Sequence, residues 1–310
     1  MTIIIAAPTA SGKTELALNL AKIIGGEIIS ADSRQVYKGL TIGTAKPEGR
    51  YIDGVYNVDG VNYHLVDFLE PEESYNSASF SADAANLEAA IKTAKHTPIF
   101  AGGTGMYMQA HFSGMDKLPE GDAELRAEYK AIADNKGKEA LHEMLAKVDP
   151  ASAAAIPAGN LHRVMRALEI HRLTGTPASE LRTGKFNATL GNNYTVYINW
   201  DKEDLNKRIV TRTNAMFSGM LAETETMLAQ GFNRETLALK SLGYPQIIDY
   251  IDGILTKEAA IEKIIILTRQ YAKRQRTWFA RYKDMNIFNG KTVTAEQVAK
   301  GYEQWKKSTW

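Results

Sequence analysis

The 310-residue chain has no cysteine. That absence excludes a disulfide framework, a thiolate nucleophile and any cysteine-ligated zinc or iron–sulfur centre. It suits a reducing compartment, and the cytoplasm is expected. Charge of one sign is also missing: 37 Lys and Arg face 36 Asp and Glu, a net charge of +1. A surface coated in positive charge is therefore excluded, so any nucleic-acid footprint must be local and offset elsewhere. An acidic disordered chain is excluded too, since 44% of residues are apolar. Long hydrophobic runs are lacking. Ile3 to Ala7 and Ile264 to Leu267 fall far short of the ~20 residues a membrane-spanning helix needs. The N-terminus shows no basic start followed by an apolar stretch, so no export signal is expected. The six histidines have no metal-ligand spacing.

What is present is an α/β pattern. Ile3 to Ala7 reads as a buried strand, Glu15 to Ile24 as an amphipathic helix stopped at Gly25-Gly26, and Glu27 to Ser30 as a second strand. Tyr63 to Leu69 is a weaker strand, Ser79 to Lys95 a helix, and Ile99 to Ala101 a third buried strand. This alternation predicts a parallel sheet flanked by helices. From Asp122 to Arg182 the pattern is helical throughout, broken near Gly137, Pro150, Gly159 and Gly175. Tyr194 to Trp200 alternates as a strand, Lys202 onward is helical, and Lys257 to Tyr282 forms one long helical pattern. A strand at 286–288 and a helix at 295–307 end the chain. The expected organisation is an α/β core over 1–114 and 194–310, with an all-helical insertion domain over 115–193.

Gly12-Lys13-Thr14 lies between the first strand and the first helix, the context of a phosphate loop. Amides at the helix start point at phosphate oxygens, and the helix dipole favours negative charge there. Lys13 adds a point charge, and Thr14 a hydroxyl for Mg²⁺. A nucleoside triphosphate is the default occupant, although any diphosphate meets the same requirements. The usual first glycine of this loop is Ala7, which is tolerable only where φ stays negative. Asp32 follows the second strand, and ligands of such sheets bind beyond strand carboxyl ends. It is a candidate general base or Mg²⁺ ligand, the alternative being a turn cap. Thr104 follows the third strand and is a candidate donor to a phosphate or to Asp32, or else a helix cap. Arg208 and Arg212 are four apart and share a helix face, from which they either reach the phosphates or form a surface pair.

The span 263–283 carries seven cations and no acid, leaving the rest of the chain with 30 cations and 36 acids. Tyr271, Trp278, Phe279 and Tyr282 are interleaved. Cations with aromatic faces suit RNA, the plainer reading being a solvated basic face over an aromatic core stripe. Arg163 and Arg166 form a second basic pair within the insert.

Taken together, Ala7 to Thr14, Ser30 to Tyr37, Ile42 to Pro47, Ala101 to Tyr107, Arg163 to Glu169, Leu242 to Tyr244 and Thr268 to Phe279 resemble the bacterial tRNA dimethylallyltransferases, also called tRNA isopentenyltransferases. The resemblance implies a P-loop NTPase-like core. It also implies transfer of a dimethylallyl group from its diphosphate to N6 of adenosine 37, just 3′ of the anticodon, in tRNAs reading codons that begin with U. Mg²⁺, a tRNA anticodon stem-loop and dimethylallyl diphosphate are the implied cofactor and partners, with a monomer expected. Carried over by residue, Asp32 is the general base, and Thr104, Arg212 and Lys13 assist the leaving diphosphate. Ala7, Pro8, Thr9, Ala10, Ser11, Gly12, Lys13, Thr14 and Arg208 hold the diphosphate, with Thr14 on Mg²⁺. The implied tRNA contacts are Asp32, Ser33, Arg34 and Gln35; Arg126; His162, Arg163, Val164, Met165 and Arg166; Lys240, Ser241, Leu242, Gly243, Tyr244 and Pro245; and Lys273, Arg274, Gln275, Arg276, Thr277, Trp278, Phe279 and Ala280. Ala7 and Pro245 depart from the family pattern. An adenine-nucleotide prenyltransferase shares the loop and Asp32 but needs no RNA grip. A small-molecule phosphoryl transferase and a non-catalytic RNA-binding protein are the remaining alternatives.

Overall fold

Ile3, Ile4 and Ile5 expose no surface at all. They form β1 (Ile3–Ala6), which is covered on both edges and both faces. Burying each such side chain is worth roughly 1.5–3 kcal/mol. The computed structural model describes residues 1–182 and 188–309. On one edge β1 pairs in parallel with β6 (Thr97–Gly102), and on the other with β7 (Tyr194–Asn199). β2 (Gly26–Ala31) lies beyond β6, and β8 (Asn286–Asn289) beyond β7, both parallel. The eight-stranded sheet runs β3-β4-β5-β2-β6-β1-β7-β8. Among the described residues it is mostly parallel, as the strand and helix alternation predicts.

One edge departs from that pattern. β3 (Arg50–Ile52), β4 (Val55–Val58) and β5 (Val61–His64) form an antiparallel meander, of which only β5 joins the parallel part. The Tyr63–Leu69 strand reading therefore shrinks to β5, with Leu69 making one isolated bridge to Tyr37. Both tight turns are Asp-Gly pairs, at 53–54 and 59–60, with all four residues at positive φ. Asp-Gly with positive φ at both positions is a strong hairpin signal, and it marks this edge in the sequence. β3 escapes the hydrophobic pattern because all three of its residues are exposed.

Helices α1 (Lys13–Ile24), α2 (Ser77–Thr93) and α3 (Gly105–Phe112) accompany these strands. Ile3 and Ile5 share a core cluster with Leu16 and Leu20 of α1. Residues 1–113 and 188–310 form one compact unit, and Gly114–Asn187 a second. Residues 183–187, assigned to the insert from the sequence, lie outside the described residues.

The second unit contains α4 (Ala123–Lys136), α5 (Lys138–Val148), α6 (Pro150–Ala155), α7 (Leu161–Thr174) and α8 (Ala178–Leu181). No strand occurs among its described residues. Its core is built from Leu141, Leu145, Val164, Leu168 and Ile170. Back in the first unit, α9 (Lys202–Ala229), α10 (Tyr244–Ile251) and α11 (Lys257–Phe279) pack around Phe217, Met220, Tyr244 and Ile264. Helix α12 (Ala295–Thr309) contributes Val298 and Tyr302 to the cluster beneath α1. No described helix is long and apolar enough to cross a membrane.

Asp149 organises the helical unit. Its carboxylate accepts hydrogen bonds from Ser152 N at 2.9 Å, Ser179 N at 2.9 Å and Ser179 Oγ at 2.6 Å. Burial alone would raise its pKa, but these donors outweigh burial and hold it down at about 2. Because the folded pKa lies below the unfolded one, the stabilisation is present above about pH 4 and lost as pH falls toward 2. Asp149→Ala is expected to cost this unit about 1–2 kcal/mol at pH 7, as lost caps do. Urea unfolding curves for the two proteins should converge on acidification, and a gap independent of pH would refute the assignment.

Candidate functional site

The parallel register sets the site. Ala6 pairs with Gly102, and Gly102 with Ala31, so three strands end side by side. From those ends leave the phosphate loop, the Gly103-Thr104 turn and Asp32. Gly102 has to be glycine, since a Cβ there would lie 2.0 Å from Ala31 O.

Ala7 does not have positive φ, so alanine is unstrained in place of the usual glycine. The left-handed residues of the loop are Ala10, at φ 63°, and Gly12, at φ 88°. The loop is held from above by two helices. Arg208 Nε donates to Ala10 O at 2.7 Å, and Arg212 Nη2 to Thr9 Oγ1 at 2.6 Å. The Arg208 guanidinium stacks on Trp200 at 4.5 Å, and Trp200 Nε1 donates to Ser11 O at 3.0 Å. From α11, Gln275 Oε1 accepts the Thr9 N–H at 2.8 Å, while its Nε2 donates to Gly103 O at 2.9 Å.

These groups surround a cavity of about 580 Å³ lined by residues 9–15, Asp32, Arg208, Arg212, Tyr271 and Gln275. Ser11 Oγ is buried without a hydrogen-bond partner and lines the same cavity. Burial lowers the pKa of Lys13, with Asp32 working against that shift and Arg212 adding to it. Burial likewise lowers Arg212, again opposed by Asp32. Tyr271 is pushed up to about 12, first by burial and then by the Asp32 charge. A second, smaller chamber of about 90 Å³ adjoins through shared residues Thr9, Asp32, Thr44, Arg212 and Tyr271. Its other walls include Met216, Met220, Leu242 and Ile264. Arg34, Thr213, Ser241 and Thr268 complete a mixed lining, so Asp32 borders both the cation-lined cavity and a smaller chamber of mixed polarity.

Thr104 takes a different partner from those the sequence suggests. Its Oγ1 accepts the Ser33 N–H at 3.0 Å, and it is not among the residues lining the larger cavity. It therefore orders the turn that carries Asp32. Asp32 Oδ1 in turn accepts the Arg34 N–H at 3.0 Å. Gln35 is buried and bonds Ser30 and the carbonyls of Thr44 and Ala45. Arg34 is exposed.

The residues carried over as RNA contacts divide by exposure. His162, Arg163, Lys240, Lys273, Arg274, Thr277 and Ala280 have exposed or partly exposed side chains. Val164, Tyr244 and Phe279 are 0%, 0% and 1% exposed, and Ser241 and Gln275 are 2% and 4% exposed. Side chains so deeply buried offer nothing to an RNA surface; they hold the segments that bear the exposed ones. Met165 is half-buried, and Gly243 takes φ 104° just before α10. Pro245 sits in the first turn of α10, where no backbone donor is required. In the helical unit Arg126 meets the buried Glu169 at 2.8 Å, and Arg166 meets the same carboxylate. The basic helix does not present a single face. Lys263 pairs with Asp249 at 3.7 Å, whereas Arg269, Lys273 and Arg276 line a separate groove of about 840 Å³ with Tyr197 and Phe279. Arg281 lies over Trp278 at 5.0 Å.

The clasp role of Gln275 escapes the sequence reading, which places it among the RNA contacts, while the wall position of Tyr271 falls between its two readings, an RNA-stacking face and a core stripe. Their four-residue spacing, shared with Thr268 and Ile264, is the helical signal that places them on one inward face. Gln275→Ala leaves the Thr9 N–H and the Gly103 carbonyl unpaired. Destabilisation of about 1–3 kcal/mol is expected in urea unfolding, and an unchanged midpoint would contradict the clasp.

Comparison with known proteins identifies the family. Residues 35–284 match the IPP transferase family, and residues 1–61 match the isopentenyl transferase family. The chain is 64% identical over 307 residues to the tRNA dimethylallyltransferase of Elusimicrobium minutum, covering 99% of this chain and 100% of that protein. It is similar to the crystal structure of tRNA delta(2)-isopentenylpyrophosphate transferase from Staphylococcus epidermidis, with 31% identity and TM-score 0.68 over 100% and 99% of the two chains. A eukaryotic dimethylallyltransferase acting on tRNA gives TM-score 0.77 at 26% identity, over 99% of this chain and 79% of the other. With the matched span covering most of its length, the chain belongs to the IPP transferase family and is a prenyltransferase.

Proposed function

We propose that the enzyme transfers a dimethylallyl group from dimethylallyl diphosphate to N6 of adenosine 37 in tRNAs reading codons that begin with U. The observation that carries this reading is Asp32 in the wall shared by the larger cavity, whose Lys13, Arg208 and Arg212 suit a diphosphate donor, and the smaller chamber, which is left for the acceptor base. The buried, unpaired Ser11 Oγ and the desolvated Lys13 and Arg212 support a diphosphate in the larger cavity.

The residue chemistry fits the transfer. The N6 amine of adenine is a weak nucleophile, because its lone pair is delocalised into the ring. As N6 bonds to the allylic carbon, the carbon–oxygen bond to diphosphate breaks and the N6 proton passes to the Asp32 carboxylate. Lys13, Arg212 and the loop amides stabilise the charge that develops on the leaving oxygen. Thr14, which lines the cavity, would hold Mg²⁺. No cluster of three or more acids or histidines able to hold a metal occurs among the described residues. The ion would therefore take most of its ligands from diphosphate and water, as Mg²⁺ commonly does. Bound there, it would neutralise the leaving diphosphate.

RNA is favoured over a free nucleotide by the exposed His162 and Arg163 of the helical unit and the exposed cations of α11. The target base stacks in a loop and has to be flipped to reach Asp32. With unmodified tRNA, dimethylallyl diphosphate and Mg²⁺, the purified enzyme should yield N6-dimethylallyladenosine. Asp32→Asn should lower kcat by about 10²–10⁴-fold with tRNA binding retained. Prenylation of free AMP at a comparable rate, or γ-phosphate transfer from ATP, would sink this reading.

A further inference from the structure

The chamber beside Asp32 has a wall that depends on one carboxylate outside every motif of the sequence. Glu223 lies on α9, about three turns beyond Arg212. It accepts hydrogen bonds from Thr41 N at 2.7 Å, Ile42 N at 2.5 Å and Gly43 N at 3.2 Å. A fourth comes from the Tyr244 hydroxyl at 2.7 Å. Four donors from two separate segments thus converge on one side chain. Those segments line the chamber: Gly43 and Thr44 on one side, Ser241 and Leu242 on the other. They also touch directly. A Cβ on Gly43 would lie 2.4 Å from the Tyr244 hydroxyl, so only glycine permits the approach.

We propose that Glu223 is a positioning residue for the acceptor adenosine, its carboxylate fixing both chamber walls at the distance the flipped base requires. This rests on the chamber belonging to a dimethylallyl transfer to tRNA. Glu223 touches neither reacting group; it acts through the 41–43 backbone and Tyr244. Three successive N–H groups aimed at one point define a single loop conformation, and a carboxylate is the acceptor that can take all of them. The side of the loop that borders the phosphate cavity is held independently, because Gln35 Nε2 binds the carbonyls of Thr44 and Ala45 at 3.3 and 2.9 Å. Loss of Glu223 should therefore loosen the acceptor side and spare the donor side.

Steady-state kinetics with each substrate varied in turn test this on the full chain, beside urea unfolding. Wild-type transfer to tRNA is measured first, and its absence would overturn the reaction reading and this proposal together. Given that activity, Glu223→Ala should raise the tRNA KM about 10-fold or more, with the dimethylallyl diphosphate KM within about twofold. Glu223→Gln, whose Oε1 can still accept the Thr41 and Ile42 N–H groups but not also the Gly43 N–H, should fall between. Tyr244→Phe removes one donor and should shift the tRNA KM in the same direction. If Glu223→Ala does not fold, the latter two variants carry the test. An unchanged tRNA KM in all variants, or a parallel rise in both KM values, overturns the positioning role.

Discussion

Everything in the site depends on the alignment of three strand ends. Ala6, Gly102 and Ala31 lie in one row across β1, β6 and β2. Parallel pairing allows this only when both faces of the sheet are covered, and the sequence meets that demand with runs such as Ile3 to Ile5. Close approach at Gly102 keeps the row tight. Once the row exists, a phosphate loop, an ordering threonine and a carboxylate must emerge within reach of one another. A one-residue slip in any pairing would turn the wrong side chains toward the site.

The sheet edge supplies only half of the site. The other half hangs from α9 and α11, residues far along the chain. Arg208 and Arg212 reach the loop because they are four apart on one helix, and Gln275 reaches it from the other. The loop is thus braced by side chains at its carbonyls, its Thr9 hydroxyl and its Thr9 amide. Such bracing matters because a phosphate loop has few internal hydrogen bonds, and a disordered loop would have to be ordered by its ligand. Preorganisation here comes from long-range contacts, not from the glycine motif alone.

This division explains what the sequence reveals. Strand and helix periodicity locates β1, β2, β6, α1 and the long helices, and the loop motif locates Lys13 and Thr14. Asp32 is legible because it follows a buried strand. The β3–β4 hairpin hides from hydrophobic pattern, since β3 is wholly exposed, and only its Asp-Gly turns betray it. Local patterns cannot report that Thr104 turns to Ser33, or that Gln275 points inward within a stretch so rich in cations. Those outcomes depend on which helix face the core claims. Glu223 is the extreme case: an ordinary charged residue on a helix, made special only by three amides and a phenol brought from elsewhere.

The overall charge of +1 acquires a local meaning from the same geometry. Lys13 and Arg212 are desolvated beside each other, and Asp32 is the carboxylate that counters both. Burial works against their charged forms, so the free enzyme carries an electrostatic cost at this point. Under the proposed reaction, a diphosphate head group entering the cavity would offset that cost by pairing both cations. A site that is destabilised when empty and completed by its ligand directs binding energy toward the reacting end of the substrate.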